Sequence, residues 1–214
     1  MKLLKVAPKK VSDDYRPRLS EAEYDLFHRE LSSATSYLEF GTGGSTLLAA
    51  ELGIRRIVSV DSDQAWSRRI GDRIASQRST AAIDLIHCDV GKTGRWGTPV
   101  DRRQIASWPH YFMLPWQRFL SANESPDLIH VDGRFRVACV LYSLLNLCFR
   151  RQEPMAKTPR IMIHDFPNRP YYHKILEYVS IVAETDTLVV TCQRTDLSLP
   201  QLLNDMLLFQ FDTR

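Results

Sequence analysis

Ser36-Tyr37-Leu38-Glu39-Phe40-Gly41-Thr42-Gly43-Gly44-Ser45-Thr46-Leu47-Leu48-Ala49-Ala50-Glu51-Leu52 runs from an apolar, strand-like segment through a glycine-rich turn into a helical pattern, with an acid just ahead of the turn. Glycines let a backbone bend sharply and come close to a ligand, and the helix that follows aims unpaired N–H groups and its positive dipole end at whatever sits there. The turn therefore reads as a cradle for a nucleotide-type cofactor.

Outward from this turn the pattern alternates. Ser20-Glu21-Ala22-Glu23 fits a capping box, and Tyr24, Phe27 and Leu31 continue at helical spacing, so a first helix starts near Ser20. Strands are expected at 36–40, 56–60, 82–88, 127–131 and 160–164, and helices at 45–52, 64–76, 136–149 and 171–179. Strands separated by helices need crossover connections, hence a parallel sheet. Two strand-like runs, 187–192 and 207–211, joined by a short polar stretch with Pro200, suggest a terminal antiparallel hairpin. The irregular stretch 91–115 holds Gly94, Gly97, Pro99 and Pro109 with Trp96, Trp108 and Tyr111. Its tryptophans argue against disorder and for a folded insertion near the ligand.

Composition bounds the class. With 214 residues, 44% hydrophobic and 25% charged, the chain suits one sizeable core. A formal charge of +3, with Lys and Arg scattered, does not call for nucleic acid. Cys88, Cys139, Cys148 and Cys192 form no CxxC pair, which speaks against zinc and a disulfide scaffold. The opening residues lack the apolar core of a signal peptide and no apolar run reaches membrane length, so a soluble cytoplasmic protein is expected.

Open parallel sheets bind ligands beyond the carboxyl ends of their strands. Those ends carry Glu39 and Gly41, Asp61, Asp89, Asp132, and His164 with Asp165. Asp61 lies about twenty residues beyond Gly41, the spacing at which a carboxylate takes both ribose hydroxyls. A dinucleotide fingerprint would need a third glycine where this chain has Thr46, which separates the two cofactor classes.

With the acidic-x-Gly-x-Gly motif of Glu39, Gly41 and Gly43, the chain resembles the class I S-adenosylmethionine-dependent methyltransferases from about residue 35 to its end. The resemblance implies a Rossmann-like, doubly wound, mostly parallel α/β sheet of seven strands closed by a C-terminal antiparallel hairpin. The residues themselves divide into a basic leader, 1–19, and a single domain, 20–214. The implied cofactor is S-adenosylmethionine, its methionine end held by Glu39 and the turn Gly41, Thr42, Gly43, Gly44 and Ser45, its ribose by Asp61 and its adenine amino group by Asp89, with Asp132 adjoining. Residues 91–97 and 131–139 look more narrowly like bacterial methyltransferase-like proteins without an assigned substrate.

Asp132, His164 and Asp165 are the candidates for proton removal from an acceptor hydroxyl. Asp132 and Asp165 also fall where catechol-type O-methyltransferases place two magnesium-binding carboxylates, so magnesium is possible. That family follows its second Asp with Asn, whereas Phe166 stands here and Asn168 comes two residues later. His28, His87, His110 and His130 read as packing residues, Arg134 and Arg136 as a solvated helix start or an anion contact, and 167–173 as a border of the acceptor pocket. The expected activity is O-methylation of a small molecule or glycan, without nucleic acid or membrane. A cofactor-binding regulatory module and a nucleic-acid methyltransferase are the alternatives.

Overall fold

Five apolar segments at the expected places form the parallel part of the sheet: β1 (Ser36–Phe40), β2 (Arg56–Asp61), β3 (Ala82–His87), β4 (Leu128–Val131) and β5 (Arg160–Ile163). The computed structural model describes residues 15–77, 79–150 and 158–214, so most of the leader, 1–14, lies outside the described residues. β1 and β4 are buried along their whole length, as strands covered on both faces must be. α1 (Glu21–Ser32), α2 (Gly44–Glu51) and α3 (Gln64–Gln77) cover one face, where Phe27, Leu31, Leu47 and Ile70 meet Tyr37, Ile57 and Leu128. α4 (His110–Ser121) and α5 (Arg136–Arg150) cover the other, where Trp116, Phe119, Leu141 and Leu144 meet Leu38, Phe40, Val60 and Val131.

The strand order is β3-β2-β1-β4-β5-β7-β6, with β6 (Val179–Thr185) and β7 (Leu188–Gln193) forming the antiparallel hairpin at the edge. The order reverses between β1 and β4, the switch point where open sheets bind ligands. Phe40 pairs with both Val60 and Val131, and Val131 with Ile163, so Gly41, Asp61, Asp132 and His164 leave the sheet side by side.

Three local expectations are corrected. The hairpin is built from 179–185 and 188–193, and the run 207–211 is not a strand. Ser198 caps a helix there, accepting from the Gln201 amide at 3.5 Å, Pro200 sits in its first turn, and α6 (Leu199–Phe209) buries Leu202 and Met206 one turn apart. Instead of an α-helix over 171–179, a 3-10 helix spans Pro170–Glu177 before β6 begins. The 91–115 stretch is not wholly a loop, because α4 starts at His110 and carries Pro115 inside it. Trp108 and Tyr111 are core residues. The remainder is ordered by short 3-10 turns at Arg95–Gly97 and Ile105–Ser107 and a bridge between Thr93 and Pro99. No helix among the described residues is long and apolar enough to cross a membrane.

A candidate cofactor and acceptor site at the carboxyl edge of the sheet

Gly41 leaves β1 with φ +113°, a conformation open to glycine, while its amide donates to Val60 O at 2.9 Å. A Cβ there would lie 2.9 Å from Gly133 N and 3.0 Å from Asp132 C, so β1 and β4 approach each other at two glycines. The first bond inside α2 is Leu47 N to Gly43 O at 3.2 Å and the Gly43 amide donates to Thr46 Oγ1 at 2.9 Å, which leaves the Gly44, Ser45 and Thr46 amides outside the helix's own bonding.

The side chains of this turn face inward. Glu39 is fully buried, and its carboxylate accepts from Ser45 Oγ, Thr46 Oγ1, Ser59 Oγ (2.9 Å) and Tyr37 OH (3.0 Å), with His130 Nδ1 at 3.4 Å. Burial, and then the Glu39 charge, push the Tyr37 phenol well above its usual range, so it stays a donor. Thr42 Oγ1 bonds Ser59 Oγ at 2.7 Å. Glu39, Thr42 and Ser45 therefore shape the turn from behind, and what the turn offers a ligand is backbone. The missing side chain of Gly44 admits residues 15–17, since a Cβ would fall 2.5 Å from Tyr15 O and from Pro17 N. Tyr15 continues this contact by stacking on Trp66 at 6.2 Å, and the Trp66 indole donates to Thr42 O at 2.6 Å.

Asp61 ends β2 and accepts from the Asp63 amide at 2.8 Å. Burial pushes its carboxyl up to about 6, the charges of Asp63 and Glu39 adding to the effect. Across from it, Ser62 Oγ reaches Gly97 O at 3.5 Å, so the 95–97 turn closes this side of the cleft. Asp89, exposed beyond β3, accepts from the Gly91 amide at 2.9 Å. Asp132 Oδ1 lies 3.1 Å from His164 Nδ1 and 3.0 Å from Arg136 Nη2, while 37% of the Asp132 side chain remains exposed. Arg136 Nη2 is also 3.4 Å from Asp165 Oδ2, and His164 Nε2 is 3.6 Å from Glu23 Oε1.

Among solved structures, the chain is similar to a methyltransferase-like protein from Silicibacter pomeroyi DSS-3, at 27% identity over 92% of this chain and 99% of that one, with a TM-score of 0.78. An O-methyltransferase from Bacillus cereus in complex with SAH shares the fold at 13% identity, covering 82% of each chain, with a TM-score of 0.50. The chain has the class I methyltransferase fold. No protein-family model matches the sequence, and no curated protein does.

In this methyltransferase fold Asp61 at the end of β2, Asp89 beyond β3 and Asp132 after β4 stand at neighbouring strand tips on one edge of the sheet. A separate cavity of about 620 Å³, lined by Pro99, Val100, Arg102, Trp108, Phe211 and Arg214 among others, adjoins it at the start of α5, where Arg136 N donates to Arg214 O at 2.8 Å. None of the acids lines that cavity.

Asp132 feels two opposing effects: burial raises its carboxyl, but the His164 hydrogen bond and the Arg136 charge outweigh this and hold it well below the usual carboxylate range. Burial likewise works against the His164 imidazolium, yet the Asp132 bond and nearby carboxylates raise it above its ordinary value. With Nδ1 bonded to Asp132 and Nε2 facing Glu23, His164 holds the Asp132 carboxylate in place. Glu23 doubles as helix cap and His164 partner, since its Oε2 accepts from Ser20 N at 2.9 Å and its Oε1 from Thr187 N at 2.9 Å.

Ligand atoms of Asp132, His164 and Asp165 lie within 4.8 Å of one another, the spacing a metal would need. The set does not fit magnesium, because the buried Arg136 guanidinium bonds both carboxylates and Phe166 adds no oxygen. The sequence marked Arg136 as a helix-start residue and missed this role. Its one visible signal was the four-residue spacing from Asp132. His130, expected in the core, is buried, whereas His87 and His110 are exposed. Glu23, Trp66 and Arg169 carried no signal beyond cap, packing and surface.

Proposed function

We propose that the chain transfers the methyl group of S-adenosylmethionine to a hydroxyl of a small molecule or glycan. The observation that supports this reading is the row of Gly41, Asp61, Asp89 and Asp132 at adjacent strand tips, at the point where strand order reverses. In it the backbone of residues 41–45 and the α2 amino end take the methionine portion, Asp61 accepts from the ribose hydroxyls and Asp89 from the adenine amino group. Asp132 reaches the cofactor's ammonium end and the acceptor with Oδ2, which has no hydrogen-bond partner among the described residues.

Methyl transfer from a sulfonium is an in-line displacement, so orientation alone is worth about 7 to 11 kcal/mol when the reacting atoms are held in contact. A positioned base adds roughly 10² to 10⁴ in rate, and most when its pKa is near the working pH. Asp132 is held too acidic for that optimum. It orients the acceptor O–H and receives its proton late, which favours acceptors that are acidic themselves.

Titrating S-adenosylmethionine calorimetrically into wild type and Asp61→Ala tests the reading. Loss of charge-assisted hydrogen bonds is expected to weaken binding at least tenfold, on the order of 1.4 kcal/mol. The ionised form is the acceptor, and in the free protein it appears as pH rises through about 6. Wild-type affinity should therefore climb from pH 5 to 7 and level off above, while the variant lacks that climb. Equal affinities at pH 7 would refute the ribose role.

A further inference from the structure

We propose that the Arg136 guanidinium is the resident cation of this site, standing where a divalent ion would bridge Asp132 and Asp165, so that the acceptor is engaged through a single donor and not by chelation of a diol. Arg136 opens α5, yet only 3% of it is exposed, which an arginine tolerates when its charge is paired and its nitrogens are engaged. All three nitrogens are. Nε donates to Gly133 O at 3.1 Å, Nη1 to His164 O at 2.6 Å and Nη2 to Asp132 O at 3.3 Å. Those carbonyls belong to the residues leaving β4 and β5, so the sheet itself fixes the guanidinium between the two carboxylates. The Tyr172 ring adds a face 5.6 Å from its central carbon.

Arg169 places a second guanidinium 2.7 Å from Asp165 Oδ2. Two carboxylates thus face two guanidiniums, and these four charges cancel before any ion arrives. A dication would have to displace Arg136 and leave its charge buried and unpaired, which breaking a buried ion pair makes strongly unfavourable. The consequence for chemistry is direct. A metal keeps open positions at which two substrate oxygens can bind, whereas a guanidinium has no coordination positions, and each nitrogen of this one already faces a protein oxygen. A vicinal diol or catechol therefore gains nothing here over a single hydroxyl presented to Asp132.

The acceptor half of this inference rests on the methyl-transfer reading. The cation half does not, and it can be read without any turnover. Manganese chloride, followed by electron paramagnetic resonance, is titrated into wild type, Arg136→Ala and the double variant Arg136→Ala/Asp165→Ala, with melting temperatures recorded in EDTA and in manganese. Wild type is expected to bind no stoichiometric Mn²⁺ and to melt identically in both. Arg136→Ala should melt lower in EDTA, take up one Mn²⁺ at least tenfold more tightly than wild type, and recover part of its loss in manganese. The double variant should lose that site. One tightly bound Mn²⁺ on wild type, removed by Asp165→Ala, would overturn the proposal and needs no Arg136 variant to fold. A folded Arg136→Ala protein without Mn²⁺ affinity would overturn it equally.

Discussion

Replacing Glu39 by alanine is expected to lower the melting temperature by roughly 10 °C, a loss of about 3 to 5 kcal/mol. Four hydroxyls point at this one carboxylate inside the protein: Tyr37, Ser45, Thr46 and Ser59. Removing the acceptor strands donors that water cannot reach, and each buried donor left unpaired costs about 1 to 3 kcal/mol. Ser59 retains Thr42 and Tyr37 retains His130, which is why the loss stays below the sum. Glu39→Gln keeps one acceptor oxygen and should fall between. Thermal unfolding separates this role from the one the family resemblance implies. If Glu39 instead held the cofactor's methionine end, alanine would weaken cofactor binding while leaving the apo protein's melting temperature nearly unchanged.

Gly41→Ala is expected to cost both stability and cofactor affinity, the latter by a hundredfold or more. An L-residue held at φ +113° costs about 1 to 3 kcal/mol by backbone strain alone. The added methyl also meets the backbone of Asp132 and Gly133 at 2.9 to 3.0 Å, and no flexible side chain can swing aside. The tips of β1 and β4 must part, which shifts the turn and Asp132 away from each other. Gly53 supplies the control: it has φ +73° and nothing within 4 Å of its would-be Cβ. Gly53→Ala should show the strain cost in thermal unfolding and leave the affinity for S-adenosylhomocysteine intact. Identical behaviour of the two variants in calorimetry would contradict the wedge.

What was legible in the chain follows from how local each signal is. Tyr37 to Leu52 announces strand, turn and helix within sixteen consecutive residues, and the acids at 61, 89 and 132 fall at strand tips because β periodicity and register are set by the same apolar residues that form the core. α4 was masked by Pro109 and Pro115, although Phe112, Trp116 and Phe119 keep helical spacing and bury one face. In the 199–209 helix the capping serine and following proline were present, but the apolar residues near 207–211 suggested a strand.

The site itself was half visible. Gly44 read as ligand space and is filled by residues 15–17, a contact nearly thirty residues distant in sequence. Glu39 read as a ligand group. Alternation along β1 puts it on the side of Tyr37, facing hydroxyls that come from α2 and β2. Arg136 read as solvated because arginines usually are, and only the meeting of the β4 and β5 tips shows why this one is not.

The central claim is that one cleft at the β1–β4 switch point holds an adenosyl sulfonium. Diffraction from crystals grown with S-adenosylhomocysteine tests it most directly. The account predicts ribose hydroxyls within hydrogen-bond distance of Asp61 Oδ atoms, the adenine edge at Asp89 and the methionine portion against the backbone of residues 41–45. A ligand bound elsewhere, or crystals that exclude it while calorimetry shows no binding, would contradict the account.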